Sequence, residues 1–161
     1  MKTERFIKTR VLTIHKTGVL MKTEKHMEAL REVLEEIETA SKDPRGMSSH
    51  QRRLAFSISL GVATLVELYF HRLEIIKPGT LIKHEWFKKS EIKEILSRQI
   101  IKPIEFVNRI SDILKISRRI EEKRNQLAYG SPVSEDHILL EEVNSFFEIK
   151  RIIEQEVGSL E

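Results

Sequence analysis

The sequence predicts an all-α protein, an antiparallel up-and-down bundle of four main helices plus short helices, and three observations carry that prediction. Apolar residues recur at steps of three and four in every long segment. No long apolar–polar alternation punctuated by glycine turns occurs, so a sheet is not expected. The breaks between helical segments fall at short Pro- and Gly-containing stretches, which suit the short connections of a bundle.

The first main helix is expected over Met21 to Ala40, where Met27, Leu30, Val33, Leu34 and Ile37 form one stripe, before the loop Ser41–Gly46. The second begins after Ser48 and Ser49, both suited to capping free amide hydrogens, and runs through Leu54, Ile58, Val62, Leu65, Leu68 and Tyr69. Its middle is apolar nearly all round, as in the central helix of a bundle, and Gly61 and Ala63 leave room for a close neighbour. Pro78-Gly79 then breaks the chain. Leu81 to Phe87 has no clean period and reads as a connector with a short helical turn. Ser90 is the expected cap of a short helix holding Ile92, Ile95 and Leu96.

Pro103 suits the first turn of a long third main helix, since no amide hydrogen is needed there; Phe106, Ile110, Ile113, Ile120 and Leu127 would form its stripe up to Gly130-Ser131-Pro132. Ser134 is the expected cap of the last helix, with Leu139, Val143, Phe146, Phe147, Ile153 and Val157 inside and Gly158 as its stop. Residues 1–20 fit either a short helix or an extended arm, leaving 21–161 as the bundle. No internal repeat or domain-sized linker is present, and 161 residues suffice for one domain with its own core.

Composition narrows the chemistry. The chain has no cysteine, which removes thiolate metal sites, disulfides and a cysteine nucleophile and fits a reducing compartment. The longest uncharged run, Leu54 to Val66, is too short to cross a hydrocarbon layer of about 30 Å. No basic region followed by an apolar signal core opens the chain, and the protein is expected to be cytoplasmic, with no membrane partner. The net charge of +3 is unevenly spread. Residues 1–22 hold six Lys/Arg against one Glu, and 77–124 hold thirteen against seven acids, whereas 130–161 hold two against eight. Such polarity either steers a polyanion to one side or is the solvated surface of ordinary helices.

One residue breaks the apolar stripe of the third main helix. After Phe106, Ile110, Ile113, Ser117 and Ile120 comes Arg124, then Leu127. A guanidinium stays charged there, so it must reach water, pair with a carboxylate or lie at the rim of a cleft. Glu67, the only acid inside the otherwise apolar stretch of the second helix, is the candidate partner, either as a structural ion pair or behind a site.

The run Arg118-Arg119-Ile120-Glu121-Glu122-Lys123-Arg124-Asn125-Gln126-Leu127-Ala128-Tyr129-Gly130-Ser131-Pro132 resembles the signature of the HEPN domain family. That family comprises small helical bundles, commonly dimeric, with an Arg-Asn pair near the end of a long helix and a His after four intervening residues. The resemblance extends through the helix order from about Met21 to Val157. It implies, for active members such as the toxin-type ribonucleases, metal-independent RNA cleavage at a site shared by two subunits. A His moves a proton during attack by the 2′-hydroxyl, and the Arg stabilises charge building on the phosphate. Arg124 and Asn125 match the pattern, while Tyr129 occupies the His position. A phenol, with an ordinary pKa of about 10, is a poor base at neutral pH.

Tyr129 then either stacks on a base or bonds a phosphate, or it closes the helix end against the core. The expectation is a HEPN-like module, catalytically impaired, that retains RNA or nucleotide binding at Arg124, with Lys123 and Arg119 beside it, and forms a homodimer. Two alternatives stay open: an assembly scaffold or partner of a nucleotidyltransferase-fold protein, and an active metal-independent endoribonuclease. No metal or cofactor is expected: no two histidines have the HExxH spacing, and glycine-rich phosphate loops, GxSxG and paired-carboxylate signatures are missing. His15, His71 and His84 read as scattered surface histidines, and Trp86-Phe87-Lys88-Lys89 as an apolar plug rimmed by lysines.

Overall fold

A computed structural model describes residues 23–161, and the placement of residues 1–20 lies outside them. Within the described residues there are five α-helices and no strand: α1 (23–42), α2 (Gln51–Arg72), the short α3 (Ile92–Ser97), α4 (Ile110–Tyr129) and α5 (His137–Val157). The four long helices make the expected all-α bundle.

Helix α2 is its axis, with 14 of its 22 residues buried, Leu54, Leu65, Val66, Leu68, Tyr69 and Phe70 fully so. The segment Met47–Arg72 is long and apolar enough to span a membrane by length and composition, but 72% of its apolar window is buried among the other helices. Its apolar surface is therefore used inside the fold. Contacts fix the directions. His26 meets Glu67 and Glu36 meets His50, so α1 and α2 are antiparallel. Ser59 meets Glu121 and Gln51 meets Leu127, so α2 and α4 are antiparallel too. Gly61 is needed where α1 and α5 both close on α2, because a Cβ there would lie 2.8 Å from Phe146 Cε2 and 3.0 Å from Val33 Cγ1.

The connector 73–109 holds 3₁₀ turns at His84–Lys88 and Ile104–Phe106 and an isolated antiparallel bridge between Ile76 and Ile100. The His84–Lys88 turn buries Phe87, half-buries Trp86 and leaves Lys88 and Lys89 exposed, the arrangement of a plug with a basic rim. The Tyr69 hydroxyl donates to the Asn108 carbonyl at 2.8 Å; burial, with Glu156 nearby, pushes this phenol up to about 12, so it stays a donor.

Three expected caps are not formed. Ser48 and Ser49 lie inside a 3₁₀ turn, Met47–His50, that leads into α2, and Ser49 Oγ bonds the Gly46 carbonyl. Ser90 Oγ donates to Glu91 instead of capping α3, and α5 starts at His137, beyond Ser134. The start of α4 also differs. Pro103 precedes the 3₁₀ turn Ile104–Phe106, Arg109 adopts a left-handed φ of 57°, and α4 begins only at Ile110. Phe106 is consequently 76% exposed and leaves the stripe, its core place taken by Ile104 and Val107. Phe147, also expected inside, is 42% exposed and packs edge-on against Phe146. Gly158 ends α5 with a φ of 84°, as expected of a glycine stop.

Candidate functional site

The end of α4 is fixed by the start of α2. Unpaired carbonyls at a helix C-terminus need donors. Gln51 Nε2 donates to the Leu127 carbonyl at 2.9 Å and to the Ser131 carbonyl at 3.2 Å, and Arg52 Nε donates to the Ala128 carbonyl at 3.0 Å. Gln51 Oε1 in turn accepts from the Val133 N–H at 2.7 Å. The reciprocal link comes from Asp136, whose two oxygens accept from the Met47 and Ser48 N–H groups at 2.9 Å each. Those two bonds hold the Asp136 carboxyl below the usual carboxylate range. The strand of backbone between α4 and α5 is thus stapled at both ends. Gly130 completes the corner, because a Cβ there would collide with the Gln126 carbonyl oxygen.

Arg124 lies half-buried against α2 with its guanidinium carbon 4.9 Å from the centre of the Phe56 ring, a cation–π contact. NH1 donates to Asn125 Oδ1 at 3.1 Å, while Nε is shut off from solvent with no hydrogen-bond acceptor. No carboxylate among the described residues pairs with it. Glu67 is not its partner: that carboxylate receives the Ile82 N–H and lies 3.0 Å from His26 Nε2, at the far end of the α2–α4 seam. The expected Arg124–Glu67 link is therefore corrected. Tyr129 is 70% exposed and meets the Phe56 ring edge-on at 5.8 Å, so it covers an aromatic shelf and leaves its own face open to solvent. Asn125 is exposed beside it.

Lys123 and Arg119 do not join this group. One position along a helix turns the side chain by about 100°, so Lys123 faces α5, where its Nζ lies 3.3 Å from Glu141 and 3.5 Å from Glu142. Glu142 is buried at 4% exposure; burial pushes its carboxyl up to about 7 against the opposing pull of Lys123, with Arg119 a weaker influence. A groove of about 490 Å³ lined by Lys123, Gln126, Leu127, Ser131, Val133 and Ile138 opens on this α5 side, away from Arg124.

A third polar group went unread in the sequence. Glu121, 4% exposed on α4, accepts from Ser59 Oγ at 2.6 Å on one oxygen, and its other oxygen lies 2.9 Å from His84 Nδ1. His84 is therefore no scattered surface histidine; its side chain is 24% exposed and anchored to the core. The only hint in the sequence is that Glu121 stands three residues before Arg124, on the same helical face. Among the described residues, no group of three or more His, Cys, Asp or Glu converges on a point that would hold a metal ion.

Compared with protein-family models, with curated proteins and with solved structures, the chain matches none.

Proposed function

We propose that this protein is a HEPN-like helical module that binds RNA through the phosphate backbone at Arg124, with Asn125 and Tyr129 beside it. The observation that carries the reading is the state of Arg124. A guanidinium offers five N–H donors, yet among the described residues this one makes a single hydrogen bond, to its own neighbour, and faces no carboxylate. Holding a cation half-buried without a counter-charge is costly unless an anion completes the site. Phosphate is the fork-matching anion, and the exposed face of Tyr129 offers a stacking surface for a base.

The replacement of the motif histidine by Tyr129 deprives the motif of its own proton-transfer group, so binding is the activity it supports by itself. The reading includes a homodimer. Leu60, 54% exposed one turn along α2 from Phe56, and Tyr129 extend the Phe56 shelf into an apolar strip that a second copy of the chain would cover.

Fluorescence anisotropy with a labelled mixed-sequence oligoribonucleotide tests the reading across a salt series. Binding that weakens steeply with salt is expected, because phosphate contacts release counterions, and Arg124→Ala should reduce the slope by about 1 as well as the affinity. Salt-independent binding, or affinity unchanged in Arg124→Ala, would refute it. Light scattering at micromolar concentration should return a dimer mass, and a monomer mass would remove the second copy from the picture.

A further inference from the structure

We infer that Arg52, on α2, is the second anion-binding residue of this site, so that the site holds two consecutive phosphates of one strand with the base between them on Tyr129. The inference rests on the RNA-binding reading of Arg124 and deepens it by naming the unit that is held, a nucleotide with phosphate on both sides of its ribose.

Two rungs join α2 to the end of α4. On one, the Arg124 guanidinium carbon lies 4.9 Å from the centre of the Phe56 ring. On the other, Arg52 Nε donates to the Ala128 carbonyl at 3.0 Å, a bond that spans 76 residues of sequence. Phe56 follows Arg52 by four residues on α2, and Ala128 follows Arg124 by four on α4. Each pair therefore stands about one turn apart on its helix, about 6 Å along the axis. Tyr129 belongs to both rungs: it is the next residue after Ala128, and its ring meets Phe56 edge-on at 5.8 Å.

Arg52 has donors to spare. The side chain is exposed, and among the described residues Nε alone is engaged, with no carboxylate within ion-pair distance. The bond to a backbone carbonyl fixes the stem and leaves the two terminal nitrogens, the pair that grips a phosphate end-on. Its neighbour Arg53 is spent differently. One position further round the helix it turns toward α1, where its Nε lies 3.3 Å from Glu36 Oε1 and its NH2 lies 2.7 Å from His50 Nδ1. Arg52 is thus the cation on the Tyr129 side of the shelf that an incoming anion need not compete for.

The position also answers an electrostatic need. The last carbonyls of α4 carry partial negative charge, which disfavours a phosphate beside Tyr129 unless a cation stands there. Arg52 is fastened to one of those carbonyls. Consecutive phosphorus atoms of a strand are joined through one ribose, and their separation is close to the turn that separates the two rungs. With one phosphate on Arg124 and the next on Arg52, the base of the ribose between them falls on the open face of Tyr129, which is 70% exposed.

The test uses the purified full chain and a labelled oligoribonucleotide, displaced in turn by adenosine 3′,5′-bisphosphate and by adenosine 5′-monophosphate, with the salt dependence of the oligonucleotide measured alongside. Wild type should release the label at about tenfold lower bisphosphate than monophosphate, the scale of one more charged hydrogen-bonded contact. Arg52→Gln can still donate to the Ala128 carbonyl but carries no charge; it should melt as wild type does, lower the salt slope by about 1 and cut the preference to about twofold or less. Arg52→Lys should restore the slope, and that rescue decides the matter should Arg52→Gln melt early. Arg53→Ala should keep both slope and preference. A wild-type slope or preference in Arg52→Gln, no recovery in Arg52→Lys, or an equal loss in Arg53→Ala would overturn the inference and leave Arg52 as a clamp on the end of α4. If Arg124→Ala alone lowers the slope, the binding reading stands without this second contact. If wild type fails to bind the oligoribonucleotide, or Arg124→Ala binds it unchanged, the reading beneath falls as well.

Discussion

Helix α4 presents two neighbouring cations to two different seams, and the seams treat them in opposite ways. Lys123 faces α5 and meets two carboxylates, Glu141 and Glu142. Arg124 faces α2 and meets an aromatic ring and one amide oxygen. A carboxylate already answers the charge of Lys123, so an incoming phosphate would have to compete with it. Arg124 has no such competitor. The difference teaches that adjacent basic residues in a motif are not interchangeable surface charge, because helical rotation by about 100° decides which neighbour each one meets.

The strongest way to break this comparison is to truncate each of the two residues in turn. Arg124→Ala should weaken RNA binding by about 10- to 100-fold, whereas Lys123→Ala should change it by about threefold or less, both read by anisotropy at fixed salt. Equal losses would mean that the two seams do not differ. A second test addresses the α4–α5 seam alone. Glu142 has its carboxyl raised to about 7, so the folded state holds that proton more tightly than the unfolded chain does. Its contribution is then fully present below the ordinary carboxylate value and fades as pH rises through about 7. Glu142→Gln should remove that decline and raise stability at pH 8 by on the order of 1–3 kcal/mol in urea unfolding. An unchanged pH profile would show that Lys123 already neutralises the seam.

Phe56→Leu sharpens the other seam more gently. It keeps an apolar side chain and removes the ring beneath Arg124, so RNA affinity should fall by about two- to fivefold, the scale of a partly exposed cation–π contact. The smallest effect concerns the corner that positions both seams. The depressed carboxyl of Asp136 adds stability that is present above the ordinary carboxylate range and lost as pH falls through its lowered value. Asp136→Asn should flatten the acid end of the thermal-melting profile, and an identical acid limb would show that the Met47 and Ser48 amides find other acceptors.

The positions of helices were legible in the sequence where burial is periodic. Helix α2 reads as central because its apolar residues surround it, and Gly61 as a close approach because it stands inside that run. Helix starts were not legible, since cap preferences describe local side chains and the acceptor at Met47 and Ser48 comes from Asp136, 89 and 88 residues away respectively. The stripe through Phe106 failed for a similar reason: the left-handed turn at Arg109 has no marker in residue type. At the candidate site, Arg124 stood out because it interrupts an apolar face. Its relation to Glu67 did not hold, because His26 and the Ile82 amide occupy that carboxylate. His84 was misread as a scattered surface histidine because only the tertiary fold brings the connector to Glu121.

The bonds that fasten the corner between α4 and α5 to the start of α2 join residues 76 to 89 positions apart. Contacts of such separation form after local ones, since a long loop must close before they contribute. The order of assembly follows. Helices α1 and α2 can pair while the rest of the chain is still unfolded, but the ledge bearing Arg124 and Tyr129 exists only after α4 has returned to α2. Amide hydrogen exchange would register this as the Met47, Ser48 and Val133 protons opening together, in one cooperative unit that forms late and is lost early.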